Sequence, residues 1–106
     1  MMIDIKPKNG NEVFYCRPNS SDEGVIKECY SPMYFKEYMN YKSTDIVLDV
    51  GTNIGAYSTR VSSLVKCVYG FEPLKDNYEL ALKNLNRNNI KNVKLQNVAL
   101  IGTDDN

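Results

Sequence analysis

Residues 46–58, IVLDVGTNIGAYS, decide the fold. Ile46 to Val50 form a nearly continuous apolar run, the pattern of a short parallel strand covered by helices on both faces. Gly51 and Gly55 follow at once. Beyond them AYSTRVSSLV sets Tyr57, Val61, Leu64 and Val65 at helical spacing, so the stretch reads as strand, glycine turn and helix.

Downstream, CVYGF at 67–71 is a second short strand. Pro73 opens a helix whose apolar stripe runs Leu74, Tyr78, Leu82, Leu85, and Asn88 with Asn89 stops it. NVKLQNVAL at 92–100 is a third strand. Short apolar strands alternating with helices imply right-handed crossovers and a parallel sheet, an α/β fold.

Upstream, EVFYCR at 12–17 lies between two turn-rich stretches and reads as a strand, with residues 3–6 as its hairpin partner. Asp22 is placed to cap a short helix over 23–30, with Val25, Ile26 and Cys29 on one face. Ser31 and Pro32 open another helix carrying Tyr34, Tyr38 and Tyr41. That stripe reads as packing against the sheet, the alternative being a tyrosine that reaches a ligand. Residues 1–44 thus form a lead-in of strand and short helices, and residues 45–106 the sheet domain.

Composition narrows the classes of function. The 106 residues suffice for one small domain, with 42% apolar and 25% charged residues. Thirteen basic residues balance thirteen acidic ones, which gives no composition-level reason to expect nucleic acid or an anionic membrane as partner. Three scattered cysteines suggest neither a disulfide framework nor a zinc site, and without histidine there is no imidazole base or ligand. The N-terminus lacks the apolar core of a signal peptide and no apolar run approaches membrane-spanning length, so a cytoplasmic protein is expected.

In an open parallel sheet, ligands bind where strands turn into helices at their carboxyl ends. Gly51 allows a positive φ or close backbone approach there, and Gly55 lets the helix begin close to a bound molecule. Glu72 ends the second strand 21 residues after Gly51, near the offset at which a carboxylate accepts both hydroxyl hydrogens of a ribose. A nucleoside ligand follows. NAD sites use G-x-G-x-x-G, whose middle glycine admits a pyrophosphate, whereas this turn has Asn53 there. Asp49 would repel a pyrophosphate and suits a ligand bearing an ammonium and a sulfonium. The simpler role for Asp49 is to cap the loop by accepting backbone hydrogen bonds.

The row DIVLDVGTNIGAYS, followed by VYGFEPLKDNYELALKNLNRNNIKNVKLQNVAL, resembles the FkbM-type S-adenosylmethionine-dependent methyltransferases. FYCRPNSSDEGVIKECYSPMYF is similar to that family's lead-in, so the resemblance covers about residues 12–103. It implies a Rossmann-like class I methyltransferase sheet, with Asp49, Gly51, Asn53 and Gly55 around the methionine part of the cofactor. Glu72 would hold the ribose, while Asn97 and Val98 would border the adenine. The implied reaction is O-methylation of a hydroxyl on a sugar or small molecule. Asp22 and Glu28 are candidate bases only by being acidic and upstream, and a solvated charge is the plainer role for each.

Family members continue with further strands, so the sheet is expected to be truncated after its third core strand, leaving IVLDV as an exposed edge. A fragment, a split protein completed by a partner or a second copy, and a non-catalytic binding module are the readings this leaves open. An NAD-linked oxidoreductase is the less favoured enzyme reading.

Overall fold

The structure, a computed structural model, describes residues 1–32 and 40–102. Tyr34 and Tyr38 of the expected tyrosine helix lie outside them. Two sheets carry the fold. The first is a hairpin of β1 (Ile3–Ile5) and β2 (Phe14–Cys16), antiparallel with Ile3 opposite Cys16. The second is parallel, in the order β3 (Ile46–Val50), β4 (Cys67–Phe71), β5 (Val93–Gln96), with Ile46 opposite Cys67 and Val68 opposite Val93. Among the described residues the helices are α1 (Asp22–Cys29), α2 (Ala56–Ser62) and α3 (Lys75–Arg87). Apart from the helix expected after Ser31, which falls on residues outside the described ones, the expected order of strands and helices is the observed one, although β5 ends four residues short of Leu100.

Period-two alternation explains which side of the sheet is covered. Asp49 and Val68 point to the helices and are buried, whereas Ile46, Leu48 and Val50 are 59%, 64% and 63% exposed. The expectation of helices on both faces is therefore overturned among the described residues. A continuous apolar run identifies a strand that can be covered twice, but the cover itself comes from elements elsewhere in the chain.

One apolar cluster joins Phe14, Cys16, Ile26, Cys29 and Tyr30 of the lead-in with Ile54, Ala56 and Leu80 of the sheet domain. A smaller one gathers Val61, Val65 and Val68 under the strands. Burying a side chain of this size contributes about 1.5–3 kcal/mol, so both sides of residue 44 depend on the shared cluster.

Asparagines seat α3. Asn84 is fully buried, accepting the Tyr15 amide at 2.7 Å and donating to the carbonyls of Tyr15 at 3.3 Å and Ile54 at 3.0 Å. One turn later Asn88 accepts the Val13 amide at 2.9 Å and donates to the Val13 carbonyl at 3.0 Å. The two amides thus pair with alternate residues of the β2 segment as a neighbouring strand would. The buried face of α3 is Leu80, Ala81, Asn84 and Leu85, which corrects the expected stripe: Leu74 and Leu82 are 62% and 41% exposed.

Asp22 does not cap α1. Its carboxylate accepts the Arg17 amide at 2.8 Å and the Arg17 guanidinium at two nitrogens, both 2.9 Å, while Ser21 occupies the cap position. Burial by itself would raise the Asp22 carboxyl, but the Arg17 hydrogen bonds outweigh it and hold the group below its ordinary value.

Candidate functional site

The turn between β3 and α2 has three left-handed residues in five: Gly51 at φ 81°, Asn53 at φ 55° and Gly55 at φ 91°. Glycine has no Cβ penalty there, and asparagine is among the residues that best tolerate the conformation. At Gly55 a Cβ would also lie 3.4 Å from that of Ala81, so α2 and α3 meet closely at the turn. Gly70 is required from the other side. A Cβ on it would sit 2.4 Å from Leu95 Cδ2 and 2.8 Å from Thr52 Oγ1.

Four of the five backbone amides over residues 51–55 are consumed internally. Gly51 and Thr52 both donate to the Phe71 carbonyl, at 2.8 and 3.1 Å, and Gly55 donates to Thr52 at 3.0 Å. Asn53 donates to Glu72 Oε1 at 2.6 Å. The other Glu72 oxygen accepts the Leu74 amide at 3.0 Å, so one buried carboxylate ties the glycine turn to the loop after β4. Each oxygen keeps a second lone pair for a further donor. Asn97 continues the bracket by donating to the carbonyls of Glu72 at 2.8 Å and Pro73 at 3.1 Å, and the exposed Val98 follows it.

Asp49 is 9% exposed and accepts one hydrogen bond, from Ser58 Oγ to Oδ2 at 2.6 Å. Among the described residues it accepts no backbone amide, which leaves the loop-capping role without a donor there, and no lysine or arginine pairs with it. Burial raises its carboxyl above the ordinary value, with Ser58 pulling against the rise and Glu72 adding to it. A buried carboxylate without a counter-cation is costly to ionise, and a cation entering beside it relieves that cost.

Asp49 opens into a cleft of about 470 Å³ bounded by the turn residues Gly51 and Asn53 on one side and by Val25, Glu28 and Cys29 of α1 on the other. The sequence pattern brought together Asp49, Gly51, Asn53, Gly55 and Glu72, and the structure places all five in one turn and bracket. It separates the two candidate bases: Glu28 lines the cleft, whereas Asp22 is buried against Arg17. The α1 wall and Asn84 had no signal in the spacing of the motif, because both arrive through packing of distant segments.

No family model matches the chain. A protein of Methanococcus vannielii assigned as a cobalt-precorrin-6B C(15)-methyltransferase (decarboxylating) is 34% identical over 59 residues, 56% of this chain and 33% of that protein. Among solved structures, a Streptococcus mutans protein assigned as a methyltransferase, in complex with SAH, is 27% identical, covering 56% of this chain and 34% of its own at a TM-score of 0.54. A tRNA methyltransferase of M. jannaschii covers 93% of this chain and 30% of its own, with 16% identity and a TM-score of 0.59. The fold is that of the first three strands of a Rossmann-like methyltransferase sheet. These likenesses relate the chain to S-adenosylmethionine-dependent methyltransferases as a class and do not single out the FkbM type. The chain spans about a third of the length of these relatives.

Proposed function

We propose that this chain is the cofactor-binding portion of an S-adenosylmethionine-dependent methyltransferase. The observation that carries the reading is Asp49, a buried carboxylate with no cationic partner among the described residues, lining a cleft beside a left-handed turn. Consumed amides at Gly51, Thr52, Asn53 and Gly55 leave those groups nothing to offer a pyrophosphate, which argues against a dinucleotide. Bound S-adenosylmethionine supplies an activated methyl group to a nucleophile.

The residues' own work is to bind and orient. Asp49 neutralises positive charge in the methionine region, and Gly51, Asn53 and Gly55 shape the wall beside it. Glu72 accepts ribose hydroxyls with its remaining lone pairs, and Asn97 with Val98 borders the base. The described part of the lead-in belongs with the same unit, because α1 supplies Val25, Glu28 and Cys29 to the cleft.

The finer assignment is FkbM-type O-methylation of a hydroxyl on a sugar or small molecule, in the cytoplasm, supported by the G-F-E-P step at 70–73 and the N-L-x-x-N helix end at 84–88. No helix among the described residues is long and apolar enough to cross a membrane. The test is an amide-shift map on adding S-adenosylhomocysteine. Perturbations centred on residues 49–56, 72–74 and 97–98 support the reading, and perturbations confined to the β1–β2 hairpin contradict it.

A second reading is a binding module completed by another chain or a second copy at β3, favoured by the exposed Ile46, Leu48 and Val50. Concentration-dependent dimers abolished by Leu48→Lys would support it, and a monomer at all concentrations would oppose it.

A further inference from the structure

We propose that Glu28 on α1 is a specificity-determining residue: with Asp49 across the cleft it forms an anionic pair of walls that favours the positively charged sulfonium cofactor over its neutral thioether product. The inference rests on the cofactor reading above and concerns a residue that the glycine-turn motif does not contain.

Three features of the cleft carry it. Glu28 comes from the lead-in and Asp49 from the end of β3, so the two carboxylates approach the same space from different elements. The described residues lining the cleft include no lysine or arginine, so neither carboxylate has a cationic neighbour among those lining residues. Asp49 is 9% exposed and lines the cleft, and its Oδ1 accepts no hydrogen bond from any described residue, so one oxygen of this buried carboxylate is without a donor among them. That open oxygen asks for a cationic ligand, and Glu28 extends the same field toward the mouth.

Both carboxylates already bear on a neighbour between them. The Cys29 thiol is pushed up to about 11, first by burial and then by Glu28 and Asp49, with Arg60 opposing. Arg60 itself donates to the Cys29 carbonyl at 3.1 Å and lies over the Tyr30 ring at 4.9 Å, behind the α1 wall.

S-adenosylmethionine carries an ammonium, a sulfonium and a carboxylate, for a net single positive charge. Its product S-adenosylhomocysteine lacks the sulfonium charge and is neutral overall. Shape is nearly shared, so a carboxylate distinguishes the two through charge alone. Glu28 is exposed, so solvent screens its effect to a modest size. Favouring the charged form assists product release after the methyl group has left.

Calorimetric titration of the full 106-residue chain with each ligand, for the wild type, Glu28→Gln and Glu28→Lys, tests this. The inference expects Glu28→Gln to lower the affinity ratio of S-adenosylmethionine to S-adenosylhomocysteine about three- to tenfold, with the latter's affinity nearly unchanged. Glu28→Lys should lower the ratio further, and added salt should narrow the gap between the variants. A ratio that stays constant while both affinities fall, or no change in either, overturns the role of Glu28 alone. A wild-type chain that binds neither ligand overturns the cofactor reading itself, and this inference with it.

Discussion

The Glu72 carboxylate reaches back across the switch between strands to accept the Asn53 amide at 2.6 Å, joining the acidic end of β4 to the left-handed middle of the glycine turn. Its second oxygen holds Leu74, so the group assigned to ribose also maintains the shape of the loop around it. Replacing Glu72 with Gln keeps one acceptor oxygen and the volume but removes the charge. Hydrogen bonds to charged groups contribute about 1.5–3 kcal/mol, so Glu72→Gln is expected to weaken S-adenosylhomocysteine binding at least tenfold by calorimetry. Unchanged affinity would remove Glu72 from the ribose site.

Asn84 and Asn88 make similar bonds to the β2 segment, but only Asn84 also holds the Ile54 carbonyl in the glycine turn. Truncating either to Ala leaves part-buried backbone groups of the β2 segment unpaired, and for Asn84 the buried Ile54 carbonyl as well, and should destabilise the chain by about 1–3 kcal/mol in urea titrations. Cofactor affinity should fall further for Asn84→Ala than for Asn88→Ala. Equal affinities in two variants of equal stability would show that Asn84 acts on the fold alone.

Asp49 links binding to pH. Its carboxyl is raised in the folded state, so the folded chain holds this proton more tightly than the unfolded chain, and the group's contribution to stability falls as pH rises above its ordinary value of 3.8. Desolvation of the buried carboxylate thus works against folding as the group ionises. Asp49→Asn is expected to raise the thermal midpoint of the free chain, a gain on the order of 1 kcal/mol, while weakening cofactor binding tenfold or more. A variant less stable than the wild type at pH 7 would contradict this account of Asp49.

Asp22 has the opposite sign. Arg17 holds its carboxyl below 3.8, so its stabilisation is complete above that value and is lost as pH falls through the lower folded-state value. Asp22→Asn should cost about 2 kcal/mol at pH 6 by urea titration and much less at pH 3. An equal cost at both values would show that packing and not charge sets the role of this residue.

Much of the fold is legible along the chain because β3 and β4 are short, largely apolar runs and β5 alternates Val93 and Leu95 with polar residues, each strand being ended by a glycine, proline or asparagine step. The turn is legible for a local reason: left-handed backbone selects Gly51, Asn53 and Gly55, and Asn53 in place of the middle glycine distinguishes it from a pyrophosphate loop. The face of α3 was misjudged because periodicity counts apolar residues, while the true buried face includes Asn84, whose amide is satisfied by backbone 69 and 30 residues away. Leu82 is apolar and exposed for the complementary reason: helix spacing orders residues around an axis, but neighbours decide which side is inside. The one-sided cover of the sheet and the α1 wall of the cleft are likewise long-range facts that no local window contains.

The central claim is that the glycine turn, Asp49 and Glu72 form a site for a sulfonium-type nucleoside cofactor and not for a dinucleotide. Calorimetric titration of the 106-residue chain with S-adenosylhomocysteine, with NADH in parallel, tests it most directly. The account predicts saturable binding of S-adenosylhomocysteine and none of NADH. Saturable binding of NADH, or a folded chain that binds neither, would contradict it.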